Sequence, residues 1–167
     1  MTLTGGLRRC AISLVTIVAA MALLAQTAMA TSPSEGSGAF AFTPGSLSAT
    51  TRMADGNVII EGRGAGTFTG TLSGPFTQTL HQIIHPNGTS TFQGTATCTC
   101  TIQGRTGTVV LRFEGSGGAT PTMPFDGRFV TQHGTLGLSD LRATGTFHGV
   151  GAGAVPSGTY TIRYHFD

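Results

Sequence analysis

The chain has 167 residues, with 26 glycines, nine arginines and no lysine against seven acids, and only 10% charged residues. The formal charge of +2 belongs to Arg8 and Arg9; beyond them seven arginines balance seven acids. A near-neutral chain lacks the basic excess that nucleic acid or an anionic membrane surface requires, so neither is expected as a partner.

Residues 1–30 read as a cleavable signal peptide. Arg8 and Arg9 precede an apolar run from Cys10 to Ala25, and Ala28-Met29-Ala30 supplies the small-x-small cleavage site. The run falls short of the ~20 residues that span a bilayer. Cleavage near Ala30 is expected, leaving a secreted or periplasmic chain with no membrane contact. Residues 31–38, Thr-Ser-Pro-Ser-Glu-Gly-Ser-Gly, read as a flexible leader, and 39–167 as one β-barrel domain.

From Phe40 onward short β-prone runs alternate with turn residues, and no long stretch shows helical periodicity. The strands predicted in chain order are 46–53, 57–64, 66–73, 76–85, 89–102, 107–114, 126–133, 143–149 and 158–166. Some of these are expected to be halves of one bent strand, which gives a working number of eight.

Pro86-Asn87-Gly88 is the best turn signal, because Asn and Gly both tolerate positive φ. Asn87-Gly88-Thr89 also matches a glycosylation sequon, but the turn accounts for more of the residues. A two-residue Asn87-Gly88 loop would set Ile83 opposite Phe92, His81 opposite Gly94, Thr79 opposite Ala96 and Thr77 opposite Cys98. Phe92, Gly94, Ala96, Cys98, Cys100 and Ile102 form the natural inner face of their strand, with threonines and Gln93 outside. A turn at Gly104-Arg105-Thr106-Gly107 adds Val109, Leu111 and Phe113 to the interior. The same register sends Phe76, Leu80 and Ile84 outward as an apolar strip. An echo recurs at Thr67-Phe68-Thr69-Gly70, Thr91-Phe92-Gln93-Gly94 and Thr146-Phe147-His148-Gly149; large and small residues alternating inward suit a bent barrel wall.

Three stretches carry a family resemblance: Asn87 to Gly94, Gly104 to Leu111, and Gly134 to Gly145. In their order and spacing, between Gly66 and Phe147, the chain resembles the bacterial domain-of-unknown-function family 3224, grouped with the allene oxide cyclase-like barrels. The resemblance implies a closed eight-stranded antiparallel meander barrel and a homo-oligomer as one candidate assembly. It implies no activity. The family's Gln-His pair is replaced here by Arg112-Phe113, its carboxylate before the hairpin by Thr79, and its glycine after Arg142 by Ala143.

The chemistry-bearing residues are sparse. Cys98 and Cys100 leave three readings open: buried free thiols, a Cys-x-Cys disulfide, or a metal or redox site. In a regular strand their Cα atoms would lie roughly 6.5–7 Å apart, at the edge of disulfide reach. His81 and His85 would stand about 14 Å apart along one strand and cannot chelate one ion. No metal or cofactor is expected. No acid pair suits acid–base work, and no nucleophile elbow or phosphate loop is present, so no catalytic residue is assigned. The candidate site is a barrel lumen lined by Thr79, His81, Ile83, Phe92, Cys98, Cys100, Leu111 and Phe113, suited to a small apolar ligand. The alternatives are an oligomeric interaction protein using the outer apolar strip, and a cyclase- or isomerase-like enzyme by fold analogy alone.

Overall fold

The computed structural model describes residues 32–118, 123–152 and 155–167. The expected signal peptide lies outside the described residues. The strands are β1 (Ser34–Phe42), β2 (Ser48–Ala54), β3 (Asn57–Gly70), β4 (Gly74–Ile84), β5 (Thr89–Ile102), β6 (Arg105–Gly118), β7 (Pro124–Gly134), β8 (Leu141–Ala152) and β9 (Val155–Phe166), with one 3₁₀ turn at Leu136–Leu138.

Every strand pair is antiparallel. The order β1-β9-β8-β7-β6-β5-β4-β3 is closed by pairing of β1 with β3, giving an eight-stranded meander barrel. β2 is a ninth, extra strand. It pairs with residues 57–63 of β3, while β1 takes residues 66–70 of the same edge. Ser46 bridges the gap between them: its hydroxyl donates to the Ala65 carbonyl at 2.8 Å and accepts from the Ala65 N–H at 3.2 Å.

Three expectations change. The stretches 57–64 and 66–73 are one strand, broken only along its edge by the switch from β2 to β1. The expected leader 31–38 instead enters the barrel, because β1 begins at Ser34 and pairs with β9 from there. Its small residues are a packing requirement: a Cβ on Gly38 would lie 2.5 Å from Tyr160 Cζ.

The third change is a register. β4 pairs with β5 through Gln82↔Phe92, Leu80↔Gly94 and Phe76↔Cys98, one residue from the expected alignment. The loop has three residues, not two. The Gly88 N–H donates to the His85 carbonyl at 3.0 Å, and Gly88 takes φ +81°. This is a type I turn followed by a left-handed glycine. A one-residue slip exchanges the two faces. Phe76, Leu80 and Ile84 therefore face inward, and the apolar outer strip does not exist on β4. On β6 the expected faces hold although the loop is Gln103-Gly104, since Cys98↔Val109, Ala96↔Leu111 and Gly94↔Phe113 keep the parity.

Inward aromatic rings sit over glycines on the neighbouring strand. Phe113 covers Gly94, Phe92 covers Gly115, Phe76 covers Gly66 and Phe40 covers Gly158; a Cβ on any of these glycines would lie 2.5–2.7 Å from the ring's Cζ. One end of the barrel is closed by Leu72, Ile102, Val109, Leu138 and Leu141, all buried. Leu72 and Leu138 come from the β3–β4 and β7–β8 connections, so these loops fold in as the floor.

Candidate functional site

Above that floor the lumen is not filled. A cavity of about 510 Å³ is lined by Phe40, Phe42, Phe68, Phe76, Phe92, Phe113, Phe125, Phe129 and Phe147, with Leu72, Leu80, Ile60, Ile84, Ala96 and Leu111 between them. The alternation along each strand drives these rings inward, and the facing glycines give them room. The lining continues to Leu47 and Met123, both more than two-fifths exposed, at the end opposite the floor. That end is the mouth.

The polar lining is short. Gln82 donates to the Ser90 hydroxyl at 3.2 Å, and Ser90 lies 3.3 and 3.2 Å from the Gly117 and Gly118 carbonyls. The Tyr160 hydroxyl accepts from the Leu72 N–H at 2.9 Å and faces the Leu72 and Thr69 carbonyls at 2.8 and 3.0 Å. Burial raises its pKa, against the opposing effect of the Leu72 hydrogen bond. Gln78 stands between Gly64 and Ala96 with no hydrogen-bond partner for its amide among the described residues.

Of the residues expected in the lumen, Phe92, Leu111 and Phe113 line the cavity. Cys98 and Cys100 face inward but are wholly buried in the core and do not border the cavity. They are joined as a disulfide, with Cα atoms 5.4 Å apart, so the strand is shorter here than a regular one. The β4 register moves the other three residues outside. Thr79 meets Thr95 at 3.0 Å, His81 meets Glu61 at 2.6 Å, and Ile83 lies on an outer surface groove with Thr91 and Ser116. Their places are taken by Gln78, Leu80, Gln82 and Ile84. The other lining phenylalanines were legible only in part, through the Phe-x-Gly echo at Phe68 and Phe147.

Three charge pairs on the outer face are directly opposed across strands. Glu61 pairs with His81, Glu114 with Arg128 and Asp126 with His148. At the floor end Arg105 reaches Asp140 at 3.0 and 3.2 Å and lies 3.8 Å from the centre of the Phe166 ring. Arg142 bonds Asp167 at 2.8 Å.

No family model and no curated protein matches the chain. Among solved structures it is similar to a protein of unknown function from the DUF3224 family of Shewanella oneidensis MR-1. The TM-score is 0.57 at 17% identity, over 81% of this chain and 98% of that one. The fold is that of a DUF3224-family protein. Phe113 lines the lumen, whereas Arg112 and Thr79 face outward. The one inward position of the Arg112-Phe113 pair is thus apolar.

Proposed function

We propose that this chain is an exported protein whose barrel binds a small, mainly apolar molecule in its lumen. The observation that carries the reading is the unfilled cavity of about 510 Å³, within the size range of small-molecule sites. Packed barrels of eight strands fill their interiors with side chains, so space kept open among nine phenylalanines favours an occupant. Binding is favoured over acid–base catalysis by the character of the lining. Among the described residues its ionisable groups are Arg63 at the rim and Tyr160, whose hydroxyl is engaged by the backbone. The interaction reading loses its support with the inward turn of Phe76, Leu80 and Ile84. Export rests on the N-terminal pattern of Arg8, Arg9 and the apolar run.

The test is titration with N-phenyl-1-naphthylamine, a neutral dye that brightens in apolar surroundings. One site per chain is expected. Ala96→Leu, which grows into the cavity, should weaken binding at least about fivefold while circular dichroism stays unchanged. A folded protein that leaves the dye dark would end the binding reading.

A further inference from the structure

We infer that the lumen selects neutral amphiphiles, an apolar body bearing one uncharged hydrogen-bonding group such as a hydroxyl or carbonyl, and that Gln78 reads that group. The inference rests on the binding reading above and names its ligand class. Gln78 faces inward on β4, flanked along the strand by Phe76 and Leu80 and across it by Gly64 and Ala96. Its small cross-strand neighbours leave the amide uncovered, and no described residue bonds it. A bound apolar ligand shields that amide from water, and an amide so buried without a partner is costly, so a ligand that supplies a partner gains by it. The other hydrogen-bonding side chains deep in the lumen each have a protein partner: Gln82 donates to Ser90, Ser90 reaches the Gly117 and Gly118 carbonyls, and Tyr160 is bound to the β3–β4 connection.

The chemistry of the amide sets the class. A carboxamide both donates and accepts, so it matches a hydroxyl or a carbonyl, and it brings no charge to offset an ion. A carboxylate or ammonium drawn to that depth would be buried without a counter-charge. The nearest cation of the lining, Arg63, pairs with Ser48 and Thr79 on the outer parity and is exposed. It can meet a head group only at the rim.

The experiment displaces N-phenyl-1-naphthylamine from the protein with four probes of one chain length at about pH 8, where both ionic probes are charged. The probes are 1-decanol, 1-chlorodecane, decanoate and decylammonium. Decanol should bind about three- to tenfold tighter than chlorodecane, the worth of one hydrogen bond, and at least about tenfold tighter than either ion. Gln78→Leu should erase the preference for decanol over chlorodecane, both probes being read against the dye affinity of that same variant. Gln78→Glu is a second variant, in which decylammonium should become the best probe. Decanoate binding as tightly as decanol would overturn the inference, since the head group would then sit at Arg63. So would a decanol preference that survives Gln78→Leu. In both cases the dye still binds, and the lumen reading stands. Loss of dye binding by the unaltered protein overturns both together.

Discussion

The smallest decisive feature is an absent methyl group. Gly94 lies under Phe113, where a Cβ would stand 2.6 Å from the ring's Cζ and closer still to the Thr79 carbonyl oxygen. Both neighbours are fixed, one by packing and one by the ladder, so the strain has no cheap outlet. Gly94→Ala should cost about 1–3 kcal/mol, as overpacking does elsewhere. Gly62, on the same inner face, is a matched control. Its Cβ would meet Leu80 at 3.6 Å, an ordinary contact, and its backbone needs no positive φ. Gly62→Ala should change stability by less than about 0.5 kcal/mol. Urea unfolding of the two variants separates a seat for a ring from mere strand composition. The Phe-x-Gly echo made these seats visible in the sequence as a pattern along one strand. It did not show that each ring rests on a glycine of the next strand, because that pairing depends on register. Tyr160 works on the same scale. It gives the Leu72 N–H, its carbonyl and the Thr69 carbonyl a single partner. Tyr160→Phe should leave the buried Leu72 N–H unpaired and cost about 1–3 kcal/mol, read as a lower urea midpoint at constant m.

At the scale of elements, turn chemistry decided which faces were legible. Asn87-Gly88 favours a two-residue loop when read alone. Pro86 argues otherwise: its fixed φ suits the second position of a type I turn, which leaves Gly88 alone to take positive φ. The proline thus carried the register, and with it the exchange of His81 for Gln82 and Thr79 for Gln78. On β6 the interior was legible despite a misplaced loop, since a shift of the turn by two residues preserves parity. β7 needs a bulge between its pairings to Val110 and Leu111, and there the Thr131 hydroxyl accepts from the Ala143 N–H at 3.0 Å in place of a ladder bond. The β5–β6 and β7–β8 connections are tied by Arg105 and Asp140. Desolvation works against ionisation of Asp140, but hydrogen bonds from its own backbone, from Arg105 and from Ser139, with the Arg105 charge, outweigh it and hold the carboxyl below its ordinary value of 3.8. A lowered native pKa means the contribution is complete above that ordinary value and is lost as pH falls below it. Asp140→Asn should therefore lower the melting temperature at neutral pH, and the gap to the unaltered protein should narrow by about pH 2–3. A gap of constant size would mean that the tie acts through shape and not charge.

At the scale of the molecule, closure is the property that a strand-by-strand reading reaches least. Nothing local marks Ser34–Phe42 as a strand: three of its first five residues are Ser or Glu and the other two Gly. It is a strand because two distant edges need it. Gly38 to Ala41 pair on one side with Thr67 to Gly70 and on the other with Ser157 to Tyr160. β2 is its opposite, having sequence better suited to a strand but, among the described residues, only one partner, β3. Proline tells the two apart. In β1, doubly paired, each N–H from 38 to 41 enters one ladder or the other, so every proline there deletes a bond and clashes with a neighbour. In β2 alternate N–H groups point away from β3, and a proline at those positions removes nothing. A proline scan should show every variant from 38 to 41 strongly destabilised in thermal melts, with the lumen's phenylalanines exposed to an apolar dye in the cold. From 49 to 53 the effect should alternate between consecutive residues. Uniform tolerance in β1 would mean that the barrel holds without its closing strand. The lumen would then owe its shape to β3–β9 alone, and a ligand would enter between β3 and β9 and not through the mouth.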